Sequence, residues 1–424
     1  MAAKRLTVAI GKSFFENNRK EFMKAIGDDI AVVLYAGRPD RMSADNDYRF
    51  LPDRNFYYLT GVEDHDTALI MCSKEGSIEL RLYVPEKDSL KERWHGKRKT
   101  HEEYSEISGI GLDDIRDLEQ LEEDVFKVIQ DKSVLIGYDG SSVKQVSKEF
   151  VAEALKNRTS EELTDVQKTL TIMRMVKKDC EIEAIRKAAK LTEEAVDELK
   201  KIVKPGMSEH DMFMKLEYEM GRRGVMIPAF GTIVAVAENS FYLHHDVPDH
   251  SVVKAGDIVQ LDLGGRVDGY CADISRALFI GTSDDEVKEA HKKSLHGLIR
   301  KLRKEAFGFI RPGVTLKELN VHMRGFVFTW LKNEGLIQMK SNEDANGDNI
   351  VSDYYWHNTS HHMGLDVHDT SFREEPLREG NCLAVEPGVY VKEWGIGFRI
   401  EDDVLVTANG CELLSSGNDD LEVL

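Results

Sequence analysis

The stretch VQLDLGGRVDGYCADISRA, residues 259–277, decides the fold of the second half of this chain. Apolar runs flank a glycine-rich centre, which predicts a β-hairpin with turn or bulge positions at Gly264, Gly265 and Gly269. Asp262 and Asp273 flank the turn, and we expect them to face the same side across the hairpin. A carboxylate among apolar residues is costly to bury without a cation or a hydrogen-bond donor. This hairpin is therefore a candidate for holding a cation.

Three later segments carry residues of the same chemical type. They are NTSHHMGLDVHD (358–369), LAVEPGVYV (383–391) and FRIEDDVLV (398–406). Their candidate ligands are His361, Glu386 and Glu401. Together with the two aspartates they make an oxygen-rich set of four carboxylates and one imidazole, which suits two divalent ions. If the fold gathers these side chains, the chain is a two-metal hydrolase.

An internal repeat predicts how the fold gathers them. From about residue 170 the chain runs one plan twice: a long helix, a Pro-Gly break, a capped second helix, a pair of histidines and two acids. The predicted long helices are 180–203 and 284–307, and the predicted caps are Ser208 with Asp211 and Thr315 with Glu318. Two α/β halves related by a pseudo-two-fold axis would each contribute one pair of acids to a site at their junction.

The first part of the chain has a different pattern. Short apolar runs (30–37, 67–73, 80–85 and 133–139) alternate with charged helical stretches. This alternation predicts a mixed or parallel sheet covered by helices. The polar segment 157–167 is the candidate linker. We therefore expect an α/β (α+β) chain with domains at 1–165 and 170–424.

Composition excludes several classes of function. The 424 residues are 41% hydrophobic and carry a formal net charge of −19, which argues against binding to nucleic acid or to an anionic membrane. No apolar run has the length of a membrane span. The five scattered cysteines lack zinc-ribbon or CxxC spacing, so they predict free thiols and a cytoplasmic location.

Taken together, these motifs resemble those of the pita-bread metallopeptidases, within them the branch of aminopeptidase P and prolidase. The segments 173–190 and 228–245 resemble the opening helix and the first histidine strand of that family. Segments 48–71 and 91–99 resemble its creatinase-like N-terminal domain. The resemblance implies a C-terminal pita-bread domain, and an exopeptidase that releases the N-terminal residue ahead of a penultimate proline. It further implies attack by a metal-bridging hydroxide, two Mn²⁺ per subunit (with Co²⁺, Zn²⁺ or Fe²⁺ as alternatives), and a homodimer or homotetramer.

The resemblance also implies roles for individual residues. The metal ligands would be Asp262, Asp273, His361, Glu386 and Glu401, with Asp273 and Glu401 bridging both ions. Glu386 would also receive or shuttle a proton. The remaining catalytic positions would be His244, His357, His368 and Arg399. His368 would help to bind substrate and to stabilise the tetrahedral intermediate, and Arg399 would orient the bridging carboxylates.

Two assignments on the substrate side are less direct. The family usually has Leu-His-Tyr where this chain has Leu-His-His. Alignment from Asn239 selects His244 as the substrate-binding histidine, whereas counting back from Asp262 selects His245; we favour His244. Trp94, set among charged residues, is either a surface aromatic or a residue that reaches the active-site mouth of a neighbouring subunit.

Other functions share parts of this pattern. Prolidase has the same five ligands and a related N-terminal domain, and differs in the length of peptide that its site admits. Methionine aminopeptidase shares the ligands, but this function would not account for the N-terminal domain. A metal-free binding protein of the pita-bread fold is disfavoured because all five ligand positions are intact.

Overall fold

The computed structural model describes residues 10–139, 152–154, 156–337 and 348–417. They form two compact units, Ile10–Met173 and a second unit that begins at Arg174. None of the helices among these residues is long and apolar enough to span a membrane.

The first unit is built on a six-stranded mixed sheet. Its helices include α1 (Lys12–Ile26), α2 (Arg54–Thr60), α3 (Ser89–His95), α4 (His101–Ser108) and α5 (Leu121–Gln130). Its strands are β1 (Ile30–Tyr35), β2 (Arg41–Ser43), β3 (Asn46–Asp47), β4 (Ala68–Lys74), β5 (Ser77–Val84), β6 (Ile115–Asp117), β7 (Leu135–Tyr138) and β8 (Leu163–Asp165). The strand order is β6-β5-β4-β1-β7-β8, and β2 pairs separately with β3. The four predicted apolar runs are β1, β4, β5 and β7, so the prediction of a helix-covered mixed sheet is confirmed.

The prediction of a linker at 157–167 is wrong. Strand β8 lies within this segment and pairs in parallel with β7, with Gly137 opposite Thr164. The polar composition of the segment fits an edge strand, because an edge strand can face water. Helix α6 (Gln167–Met175) follows it, and the division between the two units falls inside this helix.

The second unit repeats one order of elements, as predicted. Its helices include α7 (Asp179–Lys200), α8 (Glu209–Arg222), α9 (Glu286–Phe309), α10 (Leu316–Asn333) and α11 (Asp348–Ser352). Its strands are β9 (Ile233–Val236), β10 (Asp257–Leu263), β11 (Arg266–Val267), β12 (Tyr270–Cys271), β13 (Ile274–Ile280), β14 (Ser360–His362), β15 (Cys382–Val385), β16 (Gly388–Val391), β17 (Ile396–Arg399), β18 (Asp402–Thr407) and β19 (Gly410–Leu413). Capping boxes begin α8 at Ser208 and α10 at Thr315, each with the predicted acid three residues later.

Strands β10 and β13 form the predicted hairpin. They are antiparallel with Asp262 opposite Ser275, and β11 and β12 extend them to the turn. The turn residues Asp268 and Gly269 both have positive φ (48° and 84°), as a two-residue type I′ turn requires. This turn matches the twist of the flanking strands and fixes their register.

The hairpin lies between two hydrophobic cores, because alternate residues of a strand face opposite sides. Val259 and Leu261 of β10 pack in a core with helices α7 and α8. Ile258 of β10 and Phe279 of β13 belong to a second core with α9, α10 and strands β15 to β18. Asp262 has the same parity as Ile258, so it points towards the second half of the unit.

A substitution at Gly264 can test the close packing of the two hairpin strands. A Cβ atom there would overlap the backbone carbonyl oxygen of Ala272. We therefore expect Gly264→Ala to push the two hairpin strands apart and to lower the free energy of unfolding by about 1–3 kcal/mol. Gly297 in α9 is a matched control because a Cβ atom there meets nothing within 4 Å. Gly297→Ala should stabilise the protein by up to about 1 kcal/mol. Urea denaturation measures both changes, and an unaltered Gly264→Ala protein would contradict the packing described.

Candidate active site

The five predicted ligands line one cavity of about 320 Å³ in the second unit. Asp262 lies within β10, whereas Asp273 directly precedes β13. His361 is the central residue of β14, Glu386 follows β15, and Glu401 lies between β17 and β18. The two halves of the unit therefore each contribute one pair of acids to a shared cavity.

The imidazole of His361 lies at the centre of the acids. Its Nε2 atom is 3.4 Å from Oδ2 of Asp273, 3.8 Å from Oε1 of Glu386 and 3.9 Å from Oε1 of Glu401. Its Nδ1 atom lies 3.1 Å from the carbonyl oxygen of His362. In the tautomer whose Nδ1–H donates a hydrogen bond to that carbonyl, Nε2 carries a lone pair that faces the carboxylates.

The donor set fits a divalent cation. Oδ1 of Asp262 is buried and has no hydrogen-bond partner among the described residues. Burial raises the pKa of Asp273 and of Glu401 well above the usual value, and neighbouring carboxylates raise both further. An orphaned carboxylate oxygen among like charges is the arrangement that a hard cation stabilises.

Arg399 supplies a positive charge beside the acids of the cavity. Its guanidinium is buried and pairs with Asp262, and its Nε donates to Oγ of Ser275 at 3.0 Å. Its backbone N–H donates to Oε1 of Gln260 at 2.9 Å. Arg399 thus connects β17 to the hairpin and fixes the orientation of the Asp262 carboxylate.

Three further histidines surround the acids. The ring of His368 stacks on that of His361, with centroids 3.8 Å apart. Nδ1 of His357 is 3.3 Å from Oε2 of Glu386, and its Nε2 is 3.2 Å from the hydroxyl of Tyr390. His244 also lines the cavity. His357 is thus held by Glu386 and Tyr390, whereas His244 and His368 can donate a hydrogen bond to a ligand beside the acids.

The two adjacent histidines point to different partners. His244 lines the cavity, whereas Nε2 of His245 lies 2.8 Å from Oε2 of Glu209. Of the two alternatives that the sequence left open, this placement favours His244 as the substrate-binding residue.

Trp94 lies in α3 of the first unit with 85% of its surface exposed. Its role at a neighbouring subunit's site stays a prediction.

Several contributors to the site were not predicted from the sequence. The cavity is also lined by Phe230, Ile233, Leu243, Asp246 and Val367. Asp403 is fully buried, and its carboxylate accepts a hydrogen bond from the backbone N–H of Asp273 at 3.2 Å. Burial raises the pKa of Asp403 well above its usual value. The sequence signal for Asp403 is the double acid after Glu401, which solvent-facing strand residues would also produce.

A buried ion cluster holds the loop that carries His368. The carboxylate of Asp369 pairs with Arg174 and lies 2.9 Å from Nζ of Lys177. Its backbone N–H donates to the carbonyl of His362 at 2.9 Å. Although burial opposes it, the two cations lower the pKa of Asp369 to about 2. The cluster therefore fixes the segment between His362 and His368.

Comparison with known proteins identifies the family. The model of metallopeptidase family M24 matches residues 183–408, and that of the aminopeptidase P N-terminal domain matches residues 15–136. The chain belongs to metallopeptidase family M24. This confirms the pita-bread fold class with its N-terminal domain, and it confirms a metal-dependent exopeptidase of the aminopeptidase type.

Individual relatives span most of the chain. Human Xaa-Pro aminopeptidase 3 is 29% identical over 94% of this chain and 80% of its own length. Xaa-Pro dipeptidase of Pyrococcus horikoshii is 28% identical over 85% of this chain and 90% of its own length. The structure of proline aminopeptidase P II from Yersinia pestis has a TM-score of 0.87 at 24% identity and covers 97% of this chain and 98% of its own. This last similarity shows the fold alone.

The Asp369 cluster generates a pH-dependent prediction. Asp369→Asn removes the buried counter-charge that Arg174 and Lys177 share, and leaves Arg174 its contact with the half-exposed Asp366. It should therefore lower the free energy of unfolding by about 3–5 kcal/mol near neutral pH. Because the folded-state pKa is depressed from 3.8 to about 2, the stabilisation is present above about pH 4 and is lost as the pH falls towards 2. Denaturant unfolding at a series of pH values measures the difference between wild type and variant, which should shrink over that range.

Asp366→Asn is the matched control. The Asp366 side chain is 43% exposed and lies 3.5 Å from Arg174, so its removal should cost less than about 1 kcal/mol. Equal losses in the two variants would contradict the assignment of Asp369 as the principal anchor.

Proposed function

We propose that the protein releases the N-terminal residue from peptides whose second residue is proline. The observation that carries this proposal is the convergence of four carboxylates, one ligand-type imidazole and further histidines on a single cavity. The similarity to a protein named Xaa-Pro aminopeptidase 3, over 94% of this chain and 80% of that protein, supports the substrate class. Asp262, Asp273, His361, Glu386 and Glu401 would hold two divalent ions, with Mn²⁺ as the first choice because oxygen ligands dominate.

The bound ions would lower the pKa of a water molecule, so that it could lose a proton at neutral pH and attack a carbonyl carbon. Side chains of the protein would carry out the proton transfer and stabilise the charges that develop. Glu386, whose Oε2 lies 3.3 Å from Nδ1 of His357, would accept a proton from the nucleophile and pass it on. His244 and His368 would donate to the developing oxyanion or to the proline nitrogen that leaves. A proline amide has no N–H to anchor the substrate, so these side-chain donors carry more of the positioning.

A second cavity supports peptides longer than a dipeptide. It has a volume of about 680 Å³ and shares four residues with the first cavity: His357, His361, His368 and Glu386. Its outer wall includes Lys317, Arg373 and Glu374. Space and polar groups beyond the acids give room for residues after the proline, which favours an aminopeptidase over a dipeptidase.

The alternative function is that of a prolidase, an Xaa-Pro dipeptidase. The similarity to the archaeal Xaa-Pro dipeptidase supports it, and that relative also covers most of the chain. A metal-free binding protein is disfavoured because the acids meet in one cavity, where Oδ1 of Asp262 has no hydrogen-bond partner in the part of the chain that the structure describes. We further propose a homodimer or homotetramer.

Peptide length distinguishes the two enzymes. We expect protein stripped of metal with a chelator to be inactive and to regain activity with Mn²⁺. The restored enzyme should cleave Xaa-Pro-Xaa tripeptides with a higher kcat/KM than Xaa-Pro dipeptides, because only the former fill the second cavity. Chromatography of the products measures both rates. Cleavage of dipeptides alone would select the prolidase alternative, and no Mn²⁺-dependent cleavage would defeat both.

Glu386→Gln tests the proton-transfer role. Glutamine keeps the shape of the side chain but accepts no proton and carries no charge, so turnover should fall by at least about 100-fold. Thermal unfolding should show a folded protein. Glu412, which pairs with Arg186 on the surface, supplies the control Glu412→Gln with unchanged turnover. Retained activity in Glu386→Gln would remove this residue from its role.

A further inference from the structure

A buried carboxylate outside the cavity holds the segment that carries His244. Glu209 is the first residue of α8 and is fully buried. Its Oε1 accepts hydrogen bonds from the backbone N–H of Val236 at 2.7 Å and from Nδ2 of Asn239 at 2.8 Å. Its Oε2 accepts from the backbone N–H of Asp249 at 3.1 Å and lies 2.8 Å from Nε2 of His245. All four partners belong to one segment, residues 236–249.

Ring packing also holds the first part of this segment: the ring centroid of Phe241 lies 5.8 Å from that of Trp356 and 6.4 Å from that of Tyr390. The segment begins with a short 3₁₀ helix, Ala237–Phe241, whose first residue has a positive φ of 50°. An alanine in this region is strained and needs the surroundings to hold it. The side chains of Tyr242 and Val247 are 67% and 77% exposed. The hydrogen bonds to Glu209 therefore fix the later part of the segment, where these side chains face solvent instead of packing.

The opposite side of the segment is attached to the active site. The carbonyl oxygen of Leu243 accepts a hydrogen bond from Arg399 at 3.3 Å, and Arg399 in turn pairs with Asp262. His244 directly follows Leu243. It therefore lies between two anchors, the Glu209 carboxylate behind it and the Arg399 guanidinium beside the acids.

Glu209, His245 and Asp249 have ligand atoms within 4.8 Å of one another, a spacing that would suit a metal ion. Each oxygen of Glu209 already has two hydrogen-bonding partners from the chain, however, so the lone pairs that a cation needs are engaged. The cluster is better explained as an anchor that the chain itself saturates.

We propose that Glu209 is a positioning residue for His244, acting through its hydrogen bonds to the 236–249 segment. This inference rests on the proposed function, in which His244 contacts the reacting peptide. It also gives the adjacent histidines separate tasks. His245 binds the anchor, and its neighbour His244 is thereby directed into the cavity.

The test is a double-mutant cycle with Glu209→Gln and His244→Ala in the Mn²⁺-loaded protein. A glutamine amide would bring its own N–H groups against two backbone or side-chain donors, so the segment should shift. We expect kcat to fall by up to about 100-fold, as a displacement of about 1 Å can cause, with little change in KM. In the His244→Ala background, Glu209→Gln should have little further effect on kcat. An unchanged kcat, or an equal loss in both backgrounds, would overturn the proposal.

His245 provides a variant that leaves the buried carboxylate in place. His245→Ala removes one donor to Glu209 and should lower kcat, whereas His245→Gln places an amide N–H near the position of Nε2 and should restore most of it. Equal kcat values for the two variants would contradict the anchor. This pair keeps the proposal testable if Glu209→Gln does not fold.

A readout independent of activity uses the metal-free protein. Amide hydrogen exchange within residues 236–249 should be faster in Glu209→Gln than in wild type. Asp211→Asn is the control because Asp211 caps the same helix through Ser208; it should leave exchange in the segment and kcat unchanged. Unaltered exchange in Glu209→Gln would refute the anchor even if the substrate class proposed above were wrong.

Discussion

The mutual repulsion of buried carboxylates is the constraint on which the structure of the second unit depends. Asp262, Asp273, Glu386 and Glu401 line one small cavity, with burial and like charge raising the pKa of Asp273 and Glu401. Such a cluster costs free energy, because like charges in a medium of low polarity destabilise one another. The surrounding chain offsets the cost with donors and cations at fixed positions.

The compensating groups come from all around the cavity. Arg399 pairs with Asp262. The N–H of Asp273 donates to Asp403, a further buried acid whose charge adds to the repulsion at Asp273. Behind them, Asp402 binds Arg276 and Arg303, and all three side chains are buried. Breaking one partner of such a network costs more than the network contributes over an apolar core. The network therefore restricts how the strands that bear the acids can move, which is a requirement for a site with fixed ligand positions.

Much of this fold follows from local signals in the sequence. The Asp-Gly turn, the two capping boxes and the apolar runs each specify their structure through neighbours only a few residues away. The sequence singles out the candidate ligands because the internal repeat places an acid in each of two strand-like stretches per half. These signals need no knowledge of the tertiary contacts.

The sequence-based predictions were wrong or incomplete where contacts between residues far apart in the chain determine the structure. Strand β8 is polar and short, and only its parallel pairing with β7 makes it part of a sheet. His244 and His245 are chemically identical, and the distinction between them comes from Glu209, which lies 36 positions away from His245. The buried state of Asp402 depends on arginines 126 and 99 positions upstream, and that of Asp403 on a backbone N–H 130 positions upstream.

The ion cluster around Asp369 has a consequence for how the catalytic unit is divided. The family match begins at residue 183, whereas the two cations that neutralise Asp369 are Arg174 and Lys177. A fragment cut at the limit of the match would retain every predicted metal ligand but leave a buried anion beside His368 without its counter-charges. The smallest fragment that folds as this unit should therefore begin before residue 183, because it must include the two cations that neutralise Asp369.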